Sequence, residues 1–175
     1  MAAPRFHRWY EAQLRQGRNT ARWVEYSLSA SLMIVLIAML TGISSIYAIV
    51  ALFGVNAAMI LFGLQMERVN LDRTHVDWWP YVFGCIAGVV PWIVIAIAIA
   101  IIGAQVENSG VPTFVFAIFI SLFVLFNTFA VNQFLQYKGV GRWRDYLWGE
   151  STYLVLSLTA KTALAWQVFG GTLAS

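Results

Sequence analysis

Five apolar stretches, each long enough to cross a bilayer, constrain what this chain can fold into. A membrane-spanning helix needs about 20 mostly apolar residues. Stretches of this kind cover residues 23–43, 46–66, 79–103, 113–135 and 152–169. Only 11% of the 175 residues are charged, against roughly 25% in soluble domains. The sequence therefore predicts an all-α integral membrane protein, one membrane domain over residues 1–175 in contact with lipid. It excludes a nucleic-acid binder and an ordinary soluble enzyme.

The basic residues are distributed so unevenly that they predict an orientation. Five arginines lie in the segment 1–22, two lie in the loop after the second stretch, and two arginines and a lysine follow the fourth stretch. The two remaining loops carry none. Because Lys and Arg concentrate in cytoplasmic loops, we expect a basic cytoplasmic segment at residues 1–22. In this orientation the protein spans the cell membrane, with its N-terminus on the cytoplasmic side and its C-terminus on the extracellular side.

Lys161 is the basic residue that this distribution leaves over, and it lies in the middle of the last stretch. A lysine at the bilayer centre costs about 2.5–3.5 kcal/mol even on the lenient insertion scale. An ionisable residue at this depth is therefore a candidate for function. An amine in an apolar pocket suits Schiff-base chemistry with an aldehyde.

Glu25 is the only carboxylate within the apolar stretches, and it invites pairing with Lys161. Ser29 follows Glu25 by four residues and Ser157 precedes Lys161 by four, so each serine shares a helix face with its charged neighbour. These residues alone leave three readings open: a covalent ligand, a transport path or a structural ion pair. The lone cysteine, Cys85, predicts neither a disulfide within the chain nor a metal site.

The sequence resembles the heliorhodopsins over nearly its whole length. The similar segments are RWVEYSLS (22–29), FGVNA (53–57), FGCIAG (83–88) with VPWI (90–93), FN (126–127) with QYKG (136–139), and SLTAKTALAWQ (157–167). They follow one another in the family's order and at compatible spacing. The five stretches would then be the last five helices of a seven-helix rhodopsin-like bundle.

The resemblance implies roles for individual residues. Lys161 would carry all-trans retinal covalently as a protonated Schiff base, and Glu25 would be its counterion. Ser29 and Ser157 would hydrogen-bond around the Schiff base. The residues expected near the polyene are Asn56, Met59, Trp92, Phe126 and Asn127. The implied activity is that of a light-absorbing photoreceptor or sensor, which is not an enzyme.

Proton pumping is not expected. Pumps that resemble this fold carry a second carboxylate eleven residues beyond the counterion, where this sequence has Leu36, and often an aspartate at the position of Ser157. The alternative is an ion transporter, light-gated or independent of light, that uses Lys161 and Glu25 as a relay.

The family has seven helices, and this sequence begins at the end of the second. We expect either an incomplete heliorhodopsin, which is the favoured interpretation, or a five-helix protein that completes its pocket with a partner chain. The resemblance also implies a homodimer. The basic segment 1–22 could bind a cytoplasmic signalling partner or anionic lipid.

Overall fold

The computed structural model describes residues 2–71, 75–105 and 113–174, and these ranges contain helices but no strand. Arg73, one of the residues counted for orientation, lies outside them. The six α-helices are α1 (Ala2–Arg15), α2 (Thr20–Leu40), α3 (Ile46–Val69), α4 (Trp79–Gln105), α5 (Thr113–Lys138) and α6 (Tyr146–Ala174). A short 3-10 turn at Gly141–Arg144 precedes α6.

Four of these helices, α2 to α5, are long and apolar enough to cross a membrane. The sequence predicted five spans, and the first four are confirmed by length and composition. The fifth, α6, has 29 residues, but Lys161 and its polar neighbours make it less apolar than the others. Its passage through the membrane stays a prediction.

The basic N-terminal segment contains a helix that the sequence analysis treated only as a charged segment. The helix α1 is followed by Gly17 at φ +68°, a left-handed conformation that glycine adopts without steric cost and that commonly ends a helix. Asn19 then begins α2, and its side-chain oxygen accepts a hydrogen bond from the Arg22 backbone N–H at 3.1 Å. This N-cap fixes where the first apolar helix starts.

The long helices pack in two groups. In the first group α2 packs against α3 and α3 against α4, while α5 and α6 form the second group. Buried aliphatic side chains from five helices fill the space between the groups, among them Ile37, Leu52, Ile95, Leu122 and Leu164. Toward the end where α2 and α6 begin, a second buried cluster consists of Trp23, Tyr26, Leu64 and Tyr153.

The outer surface is apolar, as expected of a protein that faces lipid. Leu28, Leu32 and Leu36 follow one another at one-turn spacing on α2, and each is more than half exposed. Water-soluble monomers rarely expose large contiguous apolar patches. The surface therefore supports the membrane assignment independently of helix length.

Candidate functional site

Lys161 and Glu25 form the ion pair that the sequence predicted. The Lys161 ammonium Nζ donates a hydrogen bond to Glu25 Oε1 at 2.8 Å, which joins α6 to α2. The described helices leave the two side chains 38% and 51% exposed. The pair lies at the seam between the two helices, where no other described helix covers it.

A small cavity of about 50 Å³ lies on the inner side of this pair. Lys161 and Ser157 line it from α6, Ser29 from α2, Met59 from α3 and Phe126 from α5. These are five of the nine predicted site residues. Lys161 therefore borders a pocket whose other walls are largely apolar.

A larger cavity of about 250 Å³ adjoins the first, mainly between α3, α4 and α5. Met59 and Phe126 line both cavities, while Trp92 and Asn127 line only the larger one. The Trp92 ring makes edge contacts with three phenylalanines of α5, at centroid distances of 5.3–5.7 Å. The two neighbouring cavities therefore extend from the side of Lys161 toward α4, and aromatic rings line both.

Asn56 is the predicted site residue that the structure places elsewhere. It is almost fully buried between α3 and α2, where its Nδ2 donates a hydrogen bond to Ser31 Oγ at 3.1 Å. It lines neither cavity. Its described contacts are therefore those of a residue that links two helices.

The cavity has features that fit a long apolar group attached to Lys161. Ser29 lines the same cavity as Lys161, and its hydroxyl oxygen is buried with no hydrogen-bond partner among the described residues. Buried polar atoms are normally satisfied, so this hydroxyl is available to a group placed beside the amine. Ligand pockets commonly combine such apolar walls with a few polar groups.

A second charged cluster lies where α2 and α6 begin and α3 ends. Arg22 Nη2 bonds to Glu67 Oε1 at 2.6 Å, and Arg22 Nη1 bonds to Glu150 Oε1. Asn19 completes the cluster, because its backbone N–H donates to Glu67 Oε2 and its side-chain Nδ2 donates to Glu150 Oε2, both at 2.9 Å. The Arg22 guanidinium also stacks on the Tyr153 ring at 4.1 Å. We call Asn19, Arg22, Glu67 and Glu150 the Arg22 cluster.

The sequence analysis missed this cluster because it assigned Glu67 and Glu150 to loops and Arg22 to the basic segment. Each carboxylate in fact lies on a helix that extends beyond its apolar stretch, α3 to Val69 and α6 from Tyr146. Arg22, Glu67 and Glu150 each lie within one helical turn of the end of an apolar stretch. This common position of one arginine and two glutamates could have indicated the cluster.

Two comparisons with known proteins bear on this arrangement. A family model described as Heliorhodopsin matches residues 1–173. A search of curated proteins finds no match to the chain.

Proposed function

The chain belongs to the heliorhodopsin family, a family of retinal-binding membrane rhodopsins, and from this premise we propose that it is a light sensor with all-trans retinal attached to Lys161. The proposal takes α2 to α6 as five membrane spans of one domain, with the basic N-terminal segment in the cytoplasm. Ten of the eleven basic residues then lie on the cytoplasmic side.

The observation that carries the proposal is the cavity that Lys161 itself lines, together with the larger aromatic-walled cavity that shares Met59 and Phe126 with it. Retinal, when bound, supplies visible-light absorption and a double bond that light isomerises. The residues that would hold it are Met59 and Phe126, which line both cavities, with Trp92 and Asn127 in the larger one. Their largely apolar surfaces exclude water from the polyene and restrict its shape.

Glu25 supplies the negative charge that a cationic group on Lys161 requires. Its carboxylate already lies 2.8 Å from Nζ, and opposite charges at this separation stabilise each other strongly where water is scarce. In the linkage we propose, a protonated Schiff base, Glu25 is the counterion. The free hydroxyl of Ser29 and the nearby Ser157 hydrogen-bond around this pair.

The same residues argue against a proton pump. The position eleven residues beyond Glu25 is Leu36, and the position four residues before Lys161 is Ser157, so neither carries a carboxylate. A sensor instead converts a change at one site into a shift between conformations. The conformational change would be transmitted by α2 and α6, the helices that Glu25 and Lys161 connect.

The test is the visible spectrum of the purified chain after all-trans retinal is added. We expect an absorption band that hydroxylamine bleaches and that Lys161→Ala abolishes. Lys138 provides a matched control, because it is the only other lysine in the chain and lies beside Trp78 and Phe134, outside both cavities. Lys138→Ala should keep the band.

Glu25→Gln should shift the band, because it removes the charge that stabilises the cation. No band in the wild-type chain, or a band that survives in Lys161→Ala, would contradict the proposal. Light-independent ion flux through vesicles that contain the protein would instead favour the transporter.

A further inference from the structure

The Arg22 cluster carries more negative than positive charge. One guanidinium is shared by two carboxylates, and the side chains of Arg22, Glu67 and Glu150 are only 3%, 2% and 8% exposed. With all three groups ionised, the cluster has a net charge of −1. An uncompensated buried charge is among the most unfavourable arrangements in a protein.

The hydrogen bonds within the cluster do not remove this excess. Each carboxylate places one oxygen on Arg22 and the other on Asn19. These bonds satisfy all four carboxylate oxygens, but Asn19 contributes no charge. Since a carboxylate oxygen has two lone pairs, a proton can still be added to an oxygen that already accepts one bond.

A second observation indicates a path for that proton. Three buried donors around the cluster have no partner among the described residues, namely Arg22 Nε, Trp23 Nε1 and the Tyr153 hydroxyl. Each belongs to a residue at least 95% buried, and Trp23 and Tyr153 also line the larger cavity. Buried donors of this kind are commonly satisfied by internal water, which also carries protons.

The other ionisable groups around the cluster are Arg18 and several tyrosines. Arg18 precedes Asn19, but among the described residues Arg22 is the one cation that forms an ion pair with Glu67 or Glu150. The Tyr10 hydroxyl of α1 accepts a hydrogen bond from Asn19 Nδ2 at 3.3 Å, and Tyr137 of α5 and Tyr146 of α6 neighbour Tyr153. The tyrosines bring no positive charge to balance the carboxylates.

We propose that Arg22, Glu67 and Glu150 form a buried proton-binding site that holds one exchangeable proton on its two carboxyl groups. The proton comes from bulk water through internal water and converts one carboxylate to a carboxylic acid, so the net charge of the cluster becomes zero. The proton belongs to the pair of carboxyls and not to either one alone. The site is independent of retinal.

Infrared spectroscopy of the full chain in lipid nanodiscs, in the dark, without retinal and near neutral pH, tests the proposal. We expect a carbonyl band of a carboxylic acid that shifts to lower frequency in D₂O. Absence of this band from the wild-type chain overturns the proposal whether or not any variant folds. The result is also separate from the retinal test, since it needs no bound chromophore.

Two variants distinguish charge balance from a carboxyl that is protonated for a local reason. In Glu67→Gln or Glu150→Gln, a single carboxylate remains opposite Arg22, and the cluster is neutral without an added proton. Both variants should therefore lose the band. Persistence of the band in either one contradicts the proposal.

Glu25→Gln is the matched control, because Glu25 pairs with Lys161 outside the cluster, and this variant should keep the band. Loss of the band in Glu25→Gln would place the proton on Glu25 and overturn the assignment to the Arg22 cluster. Helix content by circular dichroism shows that each variant retains its fold.

Discussion

Two charged sites join α2 to α6, and they differ in almost every physical respect. The Arg22 cluster is buried, and four hydrogen bonds hold its two carboxylates. The Lys161–Glu25 pair is a single contact of 2.8 Å between half-exposed side chains. Both sites thus pair a basic side chain with glutamate, but one pairing is enclosed in a hydrogen-bond network and the other lies on the surface between two helices.

This difference suits the Arg22 cluster to stabilising the fold and the Lys161–Glu25 pair to a chemical role. Removal of the Arg22 cation leaves the buried carboxyl groups of Glu67 and Glu150 without a counterion, which is a severe penalty. Among the described residues, Glu25 is the one charged partner of the Lys161 amine, and Lys161 also borders a cavity. Covalent modification of the Lys161 amine would therefore disturb few other contacts.

The largest expected effect comes from removing the cation of the buried cluster. Arg22→Leu should destabilise the protein by about 3–5 kcal/mol, the usual cost of leaving one side of a buried ion pair unpaired. Unfolding of the chain in mixed micelles, followed by circular dichroism, measures this. Arg8→Leu, at an exposed position of α1, is the control. A loss below about 1 kcal/mol, as for an exposed pair, would remove the contrast between the two sites.

The next effect tests whether packing around the cluster matters as well as charge. A Cβ atom at Gly63 would lie 2.3 Å from Cζ3 of Trp23, whose ring lies against the Arg22 guanidinium at 4.4 Å. Gly63→Ala should therefore cost about 1–3 kcal/mol through overpacking. Gly54→Ala, where a Cβ would meet nothing within 4 Å, should have almost no effect. Equal stability of the two variants would show that α2 and α3 can shift apart freely.

A double-mutant cycle compares the two sites directly. The coupling free energy between Lys161 and Glu25, from Lys161→Ala and Glu25→Gln, should be about 0.6 kcal/mol, as for polar contacts between membrane helices. The coupling between Arg22 and Glu67 should be several times larger, because burial strengthens it. The same unfolding measurement gives both. If the Lys161–Glu25 coupling equals or exceeds the Arg22–Glu67 coupling, the Lys161–Glu25 pair is as well shielded from water in the membrane as the buried cluster.

An effect of similarly small size concerns Asn56, which the family resemblance placed near the polyene and the structure places against Ser31. Asn56→Ala should cost about 0.6 kcal/mol, typical of one hydrogen bond between membrane helices. The visible band should keep its position, because Asn56 lines neither cavity. A spectrum and an unfolding curve check both statements. A shift of the visible band in Asn56→Ala would indicate that Asn56 does contact the chromophore.

The sequence predicted the helices and the exposed pair because both depend on local information. Each apolar stretch defines a helix, and a lone lysine and a lone carboxylate within such stretches have few partners other than each other. The Arg22 cluster could not be predicted in this way, because it depends on where three distant helix ends meet. Helix ends were also underestimated: α3 continues through Glu67 and Arg68 to Val69. Charged residues can extend a membrane helix toward the headgroups, so loss of hydropathy does not end it.

The spacing of the two sites along their helices has a mechanical consequence. On α2, Arg22 and Glu25 are separated by three residues, or about 4.5 Å of helix. Their partners on α6, Glu150 and Lys161, are separated by eleven residues, or about 16.5 Å. One turn of α2 is therefore tied to two contacts that lie about three turns apart on α6, so a displacement of that turn would bear on a much longer part of α6.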